Sequence, residues 1–197
     1  MNRRSLDLTF SFGGLIVAIL LAAAGFTFKA NADFAKDYVH DQLSAQKITF
    51  TPAANLADEE KKAACLVEYA GTALDSGKKA ECYANEYIAL HVTNIGGGDT
   101  YATIGAKQRQ AQADLQAAVD SKAANVPELQ AALEKINSTR DTLFKGETLR
   151  GLLLTSYGFS IFGEKAQLAA MLAFIGAVIV LVASLAGFAH AASSKKE

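Results

Sequence analysis

Two long apolar runs enclose a middle region in which apolar residues recur at helical spacing. The second run, Gln167 to Ala189, carries no charge between Lys165 and Lys195. About twenty apolar residues rising ~1.5 Å each cross a hydrocarbon core of ~30 Å, so the run predicts a transmembrane helix. The first run, Leu8 to Phe28, is of similar length. Arg3 and Arg4 before it and Ala30-Asn31-Ala32 after it give it the outline of a signal peptide. It exceeds the roughly 7 to 15 apolar residues of a signal core, however, and Lys29 intervenes, so a retained anchor is expected.

After Phe28 there is no Gly or Pro through Gln46, and Phe34, Tyr38, Val39 and Leu43 keep helical spacing, which predicts that the first span continues outward as a stalk. Lys47 to Pro52, KITFTP, alternates Ile48 and Phe50 and reads as a short extended piece ended by proline. Asn55 is placed to cap a helix over Leu56 to Tyr69, with Asp58 in its first turn and Leu56, Ala63, Leu66, Val67 and Ala70 as its apolar face. Gly71 to Gly77 supplies a break. Lys78 to Ile95 predicts another helix, with Tyr83, Tyr87, Ile88 and His91 on one face, ended by Gly96-Gly97-Gly98.

Asp99 and Thr100 are placed to cap a helix over Tyr101 to Ala124 with Ile104, Ala111, Leu115 and Val119 inward, closed by Asn125. Pro127 suits the first turn of a helix over Pro127 to Phe144, which presents Leu129, Leu133, Ile136 and Leu143 and is stopped by Gly146. Beyond it, Leu149, Leu152, Leu153, Leu154, Tyr157, Phe159, Ile161 and Phe162 suit a short helix at the membrane interface, bent at Gly158 and Gly163. The fold class is therefore an all-α membrane protein with two transmembrane helices flanking an extracytoplasmic helical bundle. Its parts are a cytoplasmic N-terminus (1–7), a first span (8–28), the bundle (29–146), an interfacial segment (147–165), a second span (166–190) and a cytoplasmic C-terminus (191–197).

Charge changes the picture through its placement. With 20 acidic and 19 basic residues, the chain has no basic excess that would suit nucleic acid. Arg3 and Arg4 precede the first run, and Lys195 and Lys196 follow the second. By the positive-inside rule both termini face the cytoplasm and the middle lies outside the plasma membrane.

Candidate chemistry is sparse. Cys65 and Cys82, the only cysteines, fall in an oxidising compartment, with their midpoint inside the Gly71 to Gly77 break; a disulfide between two helical arms is expected. His40, His91 and His190 share no metal-binding spacing, and Asp37, Asp41 and Glu86 are the carboxylates near the first two in sequence. No nucleophile elbow and no cofactor motif is present. Gly14, Ala18 and Ala22 in the first run, and Ala169, Ala173 and Ala177, then Ala183, Gly187 and Ala191 in the second, repeat at four-residue spacing. Small residues so placed let helices pack closely in lipid, on each other, on further copies or on another membrane protein. Glu147 and Arg150 in GETLRG share a helix face and are the candidate polar contact to a partner.

Three stretches, KITF at Lys47 to Phe50, YANEYIALHVTNIGGGDTY from Tyr83 to Tyr101, and above all FKGETLRGLLLTSYG from Phe144 to Gly158, resemble an actinobacterial family of two-span membrane proteins of unknown function, often labelled aromatic ring-opening dioxygenase. The resemblance implies a cell-envelope setting and brings no established active site. Non-haem iron oxygenases use two histidines and a carboxylate. Only His40 and His91 lie on one side of the membrane, and neither sits in a ligand motif, so the activity in that label is discounted.

The function expected from the residues is non-enzymatic. It is a membrane protein acting through protein contacts, as a homo-oligomer or as an accessory subunit of an envelope complex, with the bilayer and itself or another membrane protein as partners and with no cofactor. A homo-oligomeric pore is the alternative from a different class, although neither span carries a polar stripe. An input subunit of a sensor is a third, although the tail after Ala189 leaves no room for an output module.

Overall fold

The computed structural model describes residues 3–193, which are 85% helical and contain no strands. The first helix, α1, runs unbroken over Arg3–Ala45. Two short 3-10 turns, Ala53–Asn55 and Glu60–Lys62, lead to α2 (Ala64–Glu68). A continuous helical segment follows, made of α3 (Gly77–Cys82), a π-helical turn over Tyr83–Ile88, and α4 (Ala89–Gly96). Then come α5 (Tyr101–Asp120) and α6, which runs over Val126–Ser193. The chain divides into two compact units: Val39–Gly158, and the residues outside that range.

In the unit formed by the two ends of the chain, α1 and α6 lie antiparallel, as contacts of residue 14 with 184, 25 with 174 and 35 with 163 require. Both helices contain a stretch long and apolar enough to cross a membrane, and only 17% of each such stretch is buried. Apart from Ala35, the buried positions of this unit recur every seven residues: Ser11, Ala18, Gly25 and Ala32 on α1, and Gly163, Ala170, Ala177, Ser184 and Ala191 on α6. A seven-residue repeat keeps one seam facing the partner helix as the two wind around each other. Large side chains, among them Phe10, Ile19, Leu20 and Phe26 on α1 and Leu172, Ile179, Val182 and Leu185 on α6, point outward. From Phe10 to Phe28 this outward band is about 27 Å long at 1.5 Å per residue.

Residues 39–158 bury large side chains instead. Phe50, Leu66, Leu74 and Leu143 are fully enclosed, with Val39, Leu43, Ile88, Val92, Ile104 and Leu153 around them. The KITF piece is extended as expected. Thr49 bridges Ala73 antiparallel, Phe50 N–H donates to the Thr72 carbonyl at 2.9 Å, and Leu74 N–H donates to the Ile48 carbonyl at 2.9 Å. Gly71, at φ +72°, makes the turn that brings the returning segment alongside. Thr100 caps α5 through a reciprocal bond with Thr103, and α4 ends with Gly97 in the left-handed region, at φ 58°.

Several expectations are corrected. Leu56 to Tyr69 is not one helix capped by Asn55. Asn55 ends a 3-10 turn and makes no cap bond among the described contacts, and the interval holds the 3-10 turn Glu60–Lys62 and the α-helical Ala64–Glu68, with the Glu60 carboxylate accepting the Ala57 N–H at 2.8 Å. On α5 the inward residue of the last turn is Ala118, and Val119 is exposed. The helix closes at Ser121 with Lys122 left-handed, at φ 52°, before Asn125 is reached. Gly146 does not stop a helix, and the segment 147–165 is neither separate nor bent at Gly158 and Gly163, for all of it belongs to α6. A glycine inside a helix costs about 1 kcal/mol relative to alanine. At Gly146 the reason is a neighbour: a Cβ there would overlap Cγ2 of Val92 on α4. Gly163 likewise lies against Ala35 of α1. Lys195 and Lys196, on which the orientation of the second span rests, lie outside the described residues.

Candidate functional site

A grouping of chemically capable side chains in residues 39–158 is built on the face of the π turn and α4. Tyr83, Tyr87 and His91 stand one turn apart, so their rings stack in series, with centroids 4.6 Å apart for the two tyrosines and 4.4 Å for Tyr87 and His91. Phe50, delivered by the extended piece, meets Tyr83 edge-on at 5.2 Å and Tyr69 at 5.7 Å. Such edge-to-face pairs place the positive ring edge on the negative face and add about 0.5–1.5 kcal/mol each to area burial.

At the other end of the row His91 Nε2 donates to Glu60 Oε1 at 2.9 Å, while Glu60 Oε2 accepts the Ala57 N–H. Glu60 is only 5% exposed, whereas the His91 ring keeps 45% of its surface in solvent. Burial pushes the Glu60 carboxyl up, but the Ala57 N–H and the His91 ring together outweigh it and hold the group below the ordinary carboxylate value. Burial, reinforced by the charges of Tyr87 and Glu60, pushes the Tyr83 hydroxyl up to about 12. The arrangement offers a half-exposed imidazole oriented by a buried carboxylate, a pair able to hold or release a proton at a fixed place.

The segment that carries Glu60 is also tied covalently. Cys65 and Cys82 stand at disulfide distance, S–S 1.99 Å and Cα–Cα 6.1 Å, and join α2 to the end of α3. His40 turns elsewhere, donating from Nδ1 to the Asp75 carbonyl at 3.1 Å, so the two histidines have separate partners and neither uses Asp37, Asp41 or Glu86. Among the described residues no three His, Cys, Asp or Glu side chains group as a metal site. The sequence places Tyr83, Tyr87 and His91 on one face. It contains no signal for Glu60, which lies 31 positions from His91 inside the polar run Asp58 to Lys62.

The candidate packing residues are distributed unevenly. Gly14 and Gly187 sit in the seam between α1 and α6, where a Cβ on either would overlap the hydroxyl of a serine on the facing helix, Ser184 or Ser11. Ala18, Ala177 and Ala191 are buried, and Ala22, Ala169 and Ala173 are half-buried. Ala183 is exposed, and its neighbour Ser184 lies in the seam between α1 and α6. Four-residue steps drift off the facing side, and seven-residue steps, which would have found Ser11, Gly25, Gly163, Ala170 and Ser184, do not. At one end of the seam His190 Nδ1 donates to Asp7 at 2.9 Å. At the other, Phe34, Tyr38 and Phe159 cluster with centroids 5.7 to 6.4 Å apart, beside the Lys29–Asp33 ion pair.

Glu147 and Arg150 approach at 3.5 Å, and Arg150 Nη2 reaches Asn85 of the π turn at 3.4 Å. Both bonds are long, and both side chains are about one-third exposed. Comparison of the chain with known protein families, curated proteins and solved structures gives no match.

Proposed function

We propose that the chain is a two-span plasma-membrane protein that presents residues 39–158 outside the cell as a helical domain acting through protein contacts, in a homo-oligomer or as an accessory subunit of an envelope complex. The carrying observation is the outward apolar band on α1 and α6, only 17% of each spanning stretch being buried, around a seam of Gly, Ala and Ser. A soluble core helix buries its large residues and exposes polar ones, whereas helices in lipid do the opposite and meet through small residues. The cluster of Phe34, Tyr38 and Phe159 beside Lys29 and Asp33 suits the headgroup layer at one end of the band.

Orientation is supported from two sides. Arg3, Arg4, Lys195 and Lys196 favour the cytoplasm for both ends, and a Cys65–Cys82 disulfide favours an oxidising space for the middle. The likeness of Phe144 to Gly158 to an actinobacterial two-span family is in keeping with an envelope setting.

Single cysteines test the topology, because the native pair is consumed in the disulfide. Gln112→Cys should react with a membrane-impermeant maleimide on intact cells, and Arg3→Cys only after permeabilisation. The reverse pattern overturns the orientation, and release of the chain by alkaline carbonate overturns the spans. Gentle extraction followed by mass determination of the intact complex tests the contact role. A complex larger than one chain is expected, and a lone monomer from native membrane would refute it.

A further inference from the structure

α5 and the first part of α6 form a hairpin whose seam is apolar at Ile104, Leu115, Leu133 and Ile136 and polar at one layer. There Gln108 Nε2 donates to Asn137 at 2.6 Å, and Arg140 Nη1 donates to Gln108 Oε1 at 2.6 Å. The Arg140 guanidinium lies 4.7 Å from the centre of the Tyr101 ring, which in turn packs on Phe144 at 5.4 Å. With Asp141 these residues line a cavity of about 330 Å³.

Three observations, on the lining residue Arg140 and on Arg109 and Gly105 beside the lining, distinguish this cavity from an ordinary surface hollow. Among the described residues Arg140 has no carboxylate partner, Asp141 beside it pairing with Lys145 at 2.6 Å, and its Nε is buried with no hydrogen bond. A guanidinium has five donors in a fixed fork, and a buried charged donor left unmet is destabilising. Among the described residues Arg109 has neither a hydrogen bond nor an ion pair. The two guanidiniums also converge: a Cβ added to Gly105 would sit 3.6 Å from Arg109 Nη1 and 3.8 Å from Arg140 Nη2. Two unpaired cations flanking one bare backbone position repel each other until an anion lies between them. Beside them Tyr101 and Phe144, 40% and 52% exposed, offer apolar ring surface to whatever carries that anion.

We propose that this cavity binds the phosphate group of a phosphate monoester with an apolar body, gripped by Arg140 and Arg109 and packed on Tyr101 and Phe144. Guanidinium forks match phosphate oxygens two at a time, which a lysine pair would not. The volume suits a small ligand or the head of a larger one. The phosphate monoester can come from a soluble metabolite or from a lipid headgroup.

The test is calorimetric titration of the full chain in nanodiscs of phosphatidylcholine with phenyl phosphate. Saturable one-to-one binding is expected, about tenfold or more tighter than inorganic phosphate, with none for benzyl alcohol. Arg109→Gln and Arg140→Met should each weaken it by about tenfold or more, the value of one lost charge-assisted contact. Asp141→Asn, which removes the one negative charge on the wall, should tighten it. Arg109→Gln removes no hydrogen bond or ion pair among the described residues and keeps the test valid if Arg140→Met fails to fold. Nanodiscs containing phosphatidic acid separate the sources, since loss of the phenyl phosphate signal there identifies the headgroup as occupant and its persistence identifies a soluble ester. No binding of phenyl phosphate to the wild type, or an affinity that Arg109→Gln leaves unchanged, overturns the proposal.

Discussion

The two units of this chain place their largest side chains in opposite ways. Where α1 and α6 pair, the contact is made by Gly, Ala and Ser, and Phe, Leu, Ile and Val face out. In residues 39–158 the contact is made by Phe50, Leu66, Leu74 and Leu143, and polar and charged residues share the surface with scattered apolar ones such as Tyr101, Phe144 and Leu152. In water, burying apolar area is itself the driving force, so the largest apolar residues go inside. In hydrocarbon that force vanishes between helices, and close backbone approach through small residues takes its place. The contrast is therefore the pattern that the proposed pair of spans requires, and it needs only side-chain sizes on either side of a contact.

Four changes break or sharpen this contrast, the largest first. Phe50→Ala should destabilise residues 39–158 by about 3–5 kcal/mol, because the fully enclosed ring leaves a cavity. Phe10→Ala, at a ring 75% exposed, should cost less than about 0.5 kcal/mol. Thermal unfolding followed by circular dichroism reads both, and equal losses would erase the distinction. Next, replacing both cysteines by serine should remove about 3 kcal/mol, since the bridge closes a loop over a separation of 17 residues. The same loss should follow reduction of the wild type, while the pairing of α1 with α6 survives either treatment.

Third, Gly14→Val should cost about 1–3 kcal/mol through overpacking against Ser184, whereas Gly13→Val, with open space around its Cβ position, should be neutral. Crosslinking between cysteines placed at 18 and 180 reads the pairing, and indifference to Gly14→Val would discard the seam. The smallest effect is electrostatic. The Glu60 carboxyl sits below its unfolded value, so the unfolded chain binds its proton more readily. Its contribution is present above about pH 4.5 and is lost as the pH falls through the lower folded value. Glu60→Gln should be less stable than the wild type by about 1–2 kcal/mol at neutral pH. The gap should close in acid, and a gap constant with pH would disprove the depressed carboxyl.

What could be read from the residues alone follows the range of the interactions involved. The apolar runs, the Thr100 cap, the glycine end of α4 and the cysteine pair rest on local pattern or on two residues of a rare type, and they are legible. The broken helix over Leu56 to Tyr69 is not legible in sequence, since one contact that holds Glu60 in place, to His91, comes from 31 positions away. Gly146 was misread because a glycine's local cost is visible in sequence while the Val92 methyl that requires it is not. The seam was half legible: small residues announced it, but four-residue steps selected Ala183 where seven-residue steps select Ser184. Lys122 in the left-handed region has no counterpart in composition, since nothing separates it from the helical lysines nearby.

The facing pairs Ser11 with Gly187 and Ser184 with Gly14 also bear on how this sequence can change over evolutionary time. Each glycine is empty because the serine opposite fills the space, so neither member of a pair is free to drift alone. A mutation enlarging one would persist only with a shrinking mutation across the seam, and the four sites should be inherited as two linked characters. Among descendants of this gene, substitutions at 11 and 187, and at 14 and 184, are thus expected to arrive together, while the large residues facing away exchange among Leu, Ile, Val and Phe independently of one another.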